Sequence, residues 1–317
     1  MRESRFAAYV DAARNGKNAL WRILLSVAII AVIWFAGSFA LVYAAAVFIL
    51  MREGIWPGSF GGVFQLVTTT DITSDRIWPF VMLLSITPLW LAVWLVVKVI
   101  HRRPLRGVLG IEGRLYWPDF ARSALVTLVV GFVIGPIALL IDPTIVRGSA
   151  SLSSWLAAAP LLLTILFLQT SAEELVFRGY LHQALAARFA TPIIWLAVPT
   201  LLFTAMHWQG QASLAMNLAS LFIILGFSLS MSWLLMASGN LAAAIGAHFA
   251  NNIGAVMLFS YQPDLGRASL FMGRSIFDQG WTVAQAVMFA LYGVLVIAVT
   301  QVLLLHRASP VRLRSLP

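Results

Sequence analysis

The sequence predicts an all-α, polytopic membrane protein of about eight transmembrane helices with both termini on the cytoplasmic side. Three observations carry that expectation. Of the 317 residues, 61% are hydrophobic and only 10% are charged, against roughly 25% charged in a soluble domain. Apolar windows of the roughly 20 residues needed to cross a bilayer follow one another with short polar gaps. Basic residues gather in alternate gaps, as the positive-inside rule requires.

The windows are 21–51, 77–100, 120–141, 154–177, 192–208, 213–237, 241–260 and 282–306. The first follows a mildly basic segment (Arg2, Arg5, Arg14, Lys17) and runs from Trp21 to Met51. A secretory signal has an apolar region of roughly 7–15 residues, so this stretch reads as a retained span. Prolines at 88, 136 and 160 are tolerable because neighbouring helices can satisfy the freed carbonyls. The fifth window is short and interrupted by Pro199. The loop 52–76, with Gly54, Gly58, Gly61, Gly62 and Thr68 to Thr70, reads as an irregular outer connection, as does 261–280.

With the N-terminus inside, segments 1–22, 98–122, 178–188, 238–240 and 307–317 hold 16 of the 21 Lys and Arg residues. The outer loops hold Arg52, Arg76, Arg147, Arg267 and Arg274. The net charge of +9 therefore reads as loops meeting anionic lipid head groups. No basic segment carries the interleaved aromatics that stack on bases, so nucleic acid is not an expected partner. The absence of cysteine excludes disulfides, thiolate metal sites and thiol nucleophiles. No internal repeat is evident. Residues 1–150 read as a three-helix membrane region without a motif, and 151–317 as the part that carries chemistry.

That chemistry centres on Gln169-Thr170-Ser171-Ala172-Glu173-Glu174-Leu175-Val176-Phe177-Arg178, which closes an apolar run. A charged side chain at a membrane-helix centre costs roughly 2.5–3.5 kcal/mol on insertion scales. Glu174 and Arg178 are four apart and can pair on one helix face. Glu173 points about 100 degrees away and calls for a partner from another helix. The fifth window offers Phe203 and, four residues on, His207; the seventh offers His248 and Asn252, one turn apart on one face. Singly these are an ion pair, a packed histidine and an interhelical amide. Together, costly groups from three spans are expected to converge on one wet pocket. A carboxylate, two imidazoles and an amide are the parts needed to activate water and stabilise an oxyanion.

Glu173-Glu174-x-x-x-Arg178 followed by Gly179, then Phe203-x-x-x-His207, then His248-x-x-x-Asn252, resembles the signature of the CPBP family of intramembrane proteases. That family takes in type II CAAX prenyl endopeptidases and bacteriocin-processing or immunity-associated relatives. The resemblance covers roughly residues 155 to 260. It implies an intramembrane endopeptidase, a multi-pass hydrolase of a membrane-associated and possibly lipidated peptide, in the cell membrane if bacterial. By it, Glu173 and His207 activate the attacking water, and His248 and Asn252 orient it or stabilise the oxyanion. Glu174, Arg178 and Phe203 shape the site.

No cofactor is expected. The chain has no His-Glu-x-x-His, which favours a glutamic over a metallo mechanism, though Glu173, His207 and His248 are the set that would hold zinc. Two other readings stand beside the protease: a non-catalytic immunity or assembly factor on the same scaffold, and a proton-coupled transporter. Simple counting also puts Glu173 and His207 near opposite ends of their spans. A helix continuing through Leu181–Arg188 would lower Glu173 toward mid-membrane.

Overall fold

The computed structural model describes residues 5–315; Arg2, counted above among the inner basic residues, lies outside them. Among the described residues, ten helices of ten residues or more organise the chain: α1 Arg5–Arg14, α2 Leu20–Arg52, α3 Phe60–Thr69, α4 Trp78–Ile100, α5 Trp117–Ile141, α6 Leu152–Arg188, α7 Ile193–Ala205, α8 Leu214–Ser238, α9 Ala242–Leu258 and α10 Val283–Leu305. Six of them, α2, α4, α5, α6, α8 and α10, are long and apolar enough to cross a bilayer, and α7 and α9 are shorter apolar helices. Each of the eight lies on one of the eight predicted windows. Side chains such as Val32, Phe35, Phe132, Leu140 and Leu291 are exposed along these helices, the surface expected of a protein whose solvent there is lipid. The chain is an integral, multi-pass membrane protein.

The two loops expected to be irregular hold structure. Within 52–76, Ser59 accepts a hydrogen bond from the Gly62 amide at 3.0 Å and starts α3. That cap, and Val63 buried against Leu50, Ile72 and Trp78, outweigh the poor helix propensity of Gly61 and Gly62. Within 261–280, strand β3 (Phe271–Met272) pairs antiparallel with β1 (Val146–Arg147) and parallel with β2 (Phe259–Ser260). Two-residue strands carry no periodicity that a sequence could display.

Helix α6 positions the carboxylates. It is 37 residues long, about 55 Å at 1.5 Å per residue, far more than the roughly 30 Å hydrocarbon core. It runs as α-helix from Leu152 to Glu174, as π-helix from Leu175 to His182, and as α-helix again from Gln183 to Arg188. Glu173 therefore sits within a turn of the rod's midpoint, as the continuation through Leu181–Arg188 predicts. The continuation is buried in protein. Tyr9 of α1 donates to the carbonyls of Val108 (2.7 Å) and Gly179 (3.2 Å). Gln183 donates to the carbonyls of Tyr9 (2.7 Å) and Gly107 (2.8 Å). Around these bonds Tyr9, Ile23, Val96, Val97, Leu175, Tyr180 and Leu241 form one apolar cluster.

Helix α9 presents its third motif through close packing on α5. Ala243, Ala244, Gly246, Ala247 and Ala250 are buried there. A Cβ at Gly246 would collide with the Phe120 carbonyl and the Ser123 hydroxyl. Small residues let two membrane backbones approach in this way. Gly246→Ala should therefore destabilise the fold by about 1–3 kcal/mol, read as a lower unfolding midpoint in detergent. Gly131→Ala, whose added carbon meets nothing, should leave the midpoint in place, and equal midpoints would show the helices are not in close contact.

His101, just beyond α4, is buried, with Nδ1 at 2.8 Å from the Lys17 carbonyl and Nε2 at 2.9 Å from the Tyr180 hydroxyl. A carbonyl only accepts, so Nδ1 donates and Nε2 accepts from Tyr180. Burial, then the charge of Arg103, then that of Arg22, push its pKa down to about 4 from 6.5. The unfolded chain thus binds the proton first. The stability His101 contributes should be complete above about pH 6.5 and decline as pH falls toward 4. Thermal unfolding in detergent across that window should show a decline that His101→Gln flattens.

Candidate active site

The three motifs meet around a buried chain of polar contacts. Arg178 donates through Nη1 to Glu174 Oε1 at 3.0 Å, both side chains being almost wholly buried. Its Nη2 donates to Ser228 of α8, to the hydroxyl at 2.8 Å and the carbonyl at 3.1 Å. The same Glu174 oxygen lies 2.8 Å from His248 Nδ1, which donates to it. On the other side of the imidazole, Nε2 is 3.5 Å from Glu173 Oε2. One histidine of α9 thus lies between two neighbouring carboxylates of α6.

Glu173 and Asn252 are joined by a residue without an assigned role above. Gln169 donates through Nε2 to Glu173 Oε1 at 2.8 Å and accepts from Asn252 Nδ2 through Oε1 at 3.0 Å. The expectation that Glu173 would draw its partners only from another helix needs correction. Gln169 stands four residues earlier on the same helix, the spacing at which side chains meet. Its amide, both donor and acceptor, suits a bridge between a carboxylate and another amide.

His207 reaches this group through an aromatic ring. It follows the end of α7 and is half-buried. Its Nδ1 donates to the Phe203 carbonyl at 2.7 Å, which leaves Nε2 as the ring's acceptor. The Phe203 ring lies 4.7 Å from the His207 ring, 6.2 Å from the His248 ring and 4.5 Å under the Arg178 guanidinium. Phe203 therefore touches a member of every motif. No hydrogen bond or ion pair joins His207 to Glu173. Phe227 of α8 packs edge-on against His248 at 4.9 Å; like Ser228 it sits in a wholly ordinary apolar run, so no sequence signal marks it.

Among the described residues, no three His, Asp or Glu side chains gather in a way that could hold a metal ion. Both nitrogens of His248 are directed at carboxylates, and His207 stands beyond Phe203. The donor set does not fit zinc as arranged.

Comparison with known proteins bears on the same segment. The chain is 26% identical over 289 residues to an uncharacterized protein, YyaK, of Bacillus subtilis (strain 168), covering 87% of this chain and 92% of that one. No solved structure gives a significant match. Residues 154–254 match the family model described as type II CAAX prenyl endopeptidase Rce1-like. That match supports a CAAX-type intramembrane protease kind of function and a membrane-associated substrate. Over the segment that carries all three motifs, this chain is similar to the Rce1-like type II CAAX prenyl endopeptidases.

Proposed function

We propose that this protein is an intramembrane endopeptidase of the glutamic type. It would hydrolyse a peptide bond near the membrane-anchored, lipidated end of its substrate. The observation that carries this reading is the placement of Glu173 beside His248, with His248 held from behind by the buried Glu174–Arg178 pair. In the reaction, Glu173 takes a proton from a water molecule shared with His207, and the hydroxide adds to the scissile carbonyl. Asn252 Nδ2, and His248 Nε2 in the protonated ring, donate to the oxyanion of the tetrahedral intermediate. The C–N bond then breaks, and Glu173 returns its proton to the leaving amine. Glu174 and Arg178 are positioning residues. The pair fixes the His248 ring, and Gln169 fixes Glu173 and Asn252 relative to one another.

The test uses the full chain in liposomes with a farnesylated CAAX peptide, its products read by mass spectrometry. Glu173→Ala should abolish cleavage, and Asn252→Ala should slow it about 100–1000-fold. EDTA should leave the rate unchanged. Near-normal cleavage by Glu173→Ala would sink the assignment, and loss under EDTA would move it to a metal mechanism.

A second prediction separates positioning from folding. Arg178→Ala leaves Glu174 buried without its cation, at a cost of about 3–5 kcal/mol, and should lower the yield of monodisperse protein. The double variant Glu174→Gln/Arg178→Met should recover much of that stability. It should remain slow in cleavage, because the anion that orients His248 is gone.

A further inference from the structure

A second polar site lies away from the carboxylates, at the end of α4 next to α1. A cleft of about 400 Å³ opens there, lined by Trp94, Lys98, Arg102, Arg103, Pro104 and Leu105. Three of these six residues are cations and none is acidic. Lys98 and Arg102 are exposed, with the Lys98 ammonium 4.9 Å over the Trp94 ring. Arg103 is only 5% exposed. Its Nη1 donates to Gln183 at 2.5 Å, while Nε and Nη2 are buried without a hydrogen-bond partner. Among the described residues no carboxylate pairs with Arg103. A buried guanidinium with a bare Nε–Nη2 edge is a costly arrangement unless an anion completes it. That edge is the one matching two oxygens of a phosphate.

The backbone adds an independent sign. Arg102 has φ of +53° and is the one non-glycine with positive φ among the described residues. Bulky residues adopt that conformation only where surrounding structure imposes it. It lies between buried His101 and buried Arg103, so the strained residue is the one that separates the exposed cation from the buried one. The cleft also stands where a membrane span ends, with Trp94 and Leu91 exposed on the approach to it. Trp and Lys at that depth are the usual companions of lipid head groups.

We propose that this cleft binds the phosphate of an anionic phospholipid, with Arg103 holding it bidentately and Lys98 and Arg102 closing over it. The phosphate chemistry is shared by the lipid and by free phosphate, and the experiment has an arm for each. Detergent-solubilised full chain is titrated with phosphatidylglycerol, and retained lipid is counted by native mass spectrometry; a parallel titration uses inorganic phosphate. One tightly retained lipid per chain is expected. Arg103→Gln and the exposed pair Lys98→Gln/Arg102→Gln should each weaken retention about tenfold or more, a change of about 1.4 kcal/mol per decade. Arg114→Gln, which removes an exposed cation already paired with Glu112, should change nothing. The exposed pair keeps the test decisive if Arg103→Gln fails to fold. Competition by millimolar phosphate at equal potency would assign the site to free phosphate and overturn the lipid. Retention unchanged in the exposed pair, or lost equally in Arg114→Gln, would overturn the site.

Discussion

Glu174 has no exposed surface, and a carboxylate so placed dictates what surrounds it. Its anion needs a cation within reach, and Arg178 supplies one from the next turn of the same helix. It needs a further donor, and His248 supplies that from α9. Arg178 in turn needs acceptors for its remaining donors and finds them on Ser228 of α8. Three helices are therefore tied at one point by the demand to compensate a single buried charge. Breaking such a pair is expensive, whereas its net stabilising worth is small. The arrangement is better understood as fixing geometry than as adding stability. What it fixes is the His248 ring, and through that ring the surroundings of Glu173.

The backbone changes character where these residues end. Helix α6 turns from α to π immediately after Glu174, and α9 does so immediately after Asn252. Such segments concentrate at functional sites in proteins generally. In α6 the π segment carries Arg178 and leads into Gln183–Arg188, which packs against α1, whereas in α9 Val256 and Met257 pack against Leu83, Leu162 and Leu166. Tyr9, Gln183 and Tyr180 then lock this end of α6 with hydrogen bonds to the first hundred or so residues of the chain. The N-terminal part of the protein carries none of the motifs, yet it buries the half of α6 that keeps the glutamates at mid-span.

Much of this was legible in the residues. The spans were, because a run of apolar side chains long enough to cross a bilayer has few other uses. The continuation of α6 was, because Leu181–Arg188 has good helix formers and no breaker. The meeting of Glu174 with Arg178 followed from their spacing of four. Gln169 was harder: an amide at the end of an apolar run looks like a polar boundary residue until the neighbouring helix shows what it bridges. Ser228 and Phe227 were invisible, since a serine and a phenylalanine in a membrane helix are ordinary. Helix α3 was misjudged because paired glycines weigh heavily in a local reading, and a cap with one well-buried face outweighs them. The tiny sheet lay below the length at which strands have a pattern at all.

The brevity of α7 and α9 has an effect on the surroundings of the molecule. Neither exceeds 17 residues, about 25 Å of helix, against roughly 30 Å of hydrocarbon. His207 follows the end of one, and the other bears His248 and Asn252. Where α7 faces lipid through Ile193, Leu201 and Leu202, a bilayer that thins to relieve the mismatch brings head groups and their hydration closer to the polar chain. Acyl length in the host membrane then becomes a control on how readily water enters, set by the bilayer and not by any side chain.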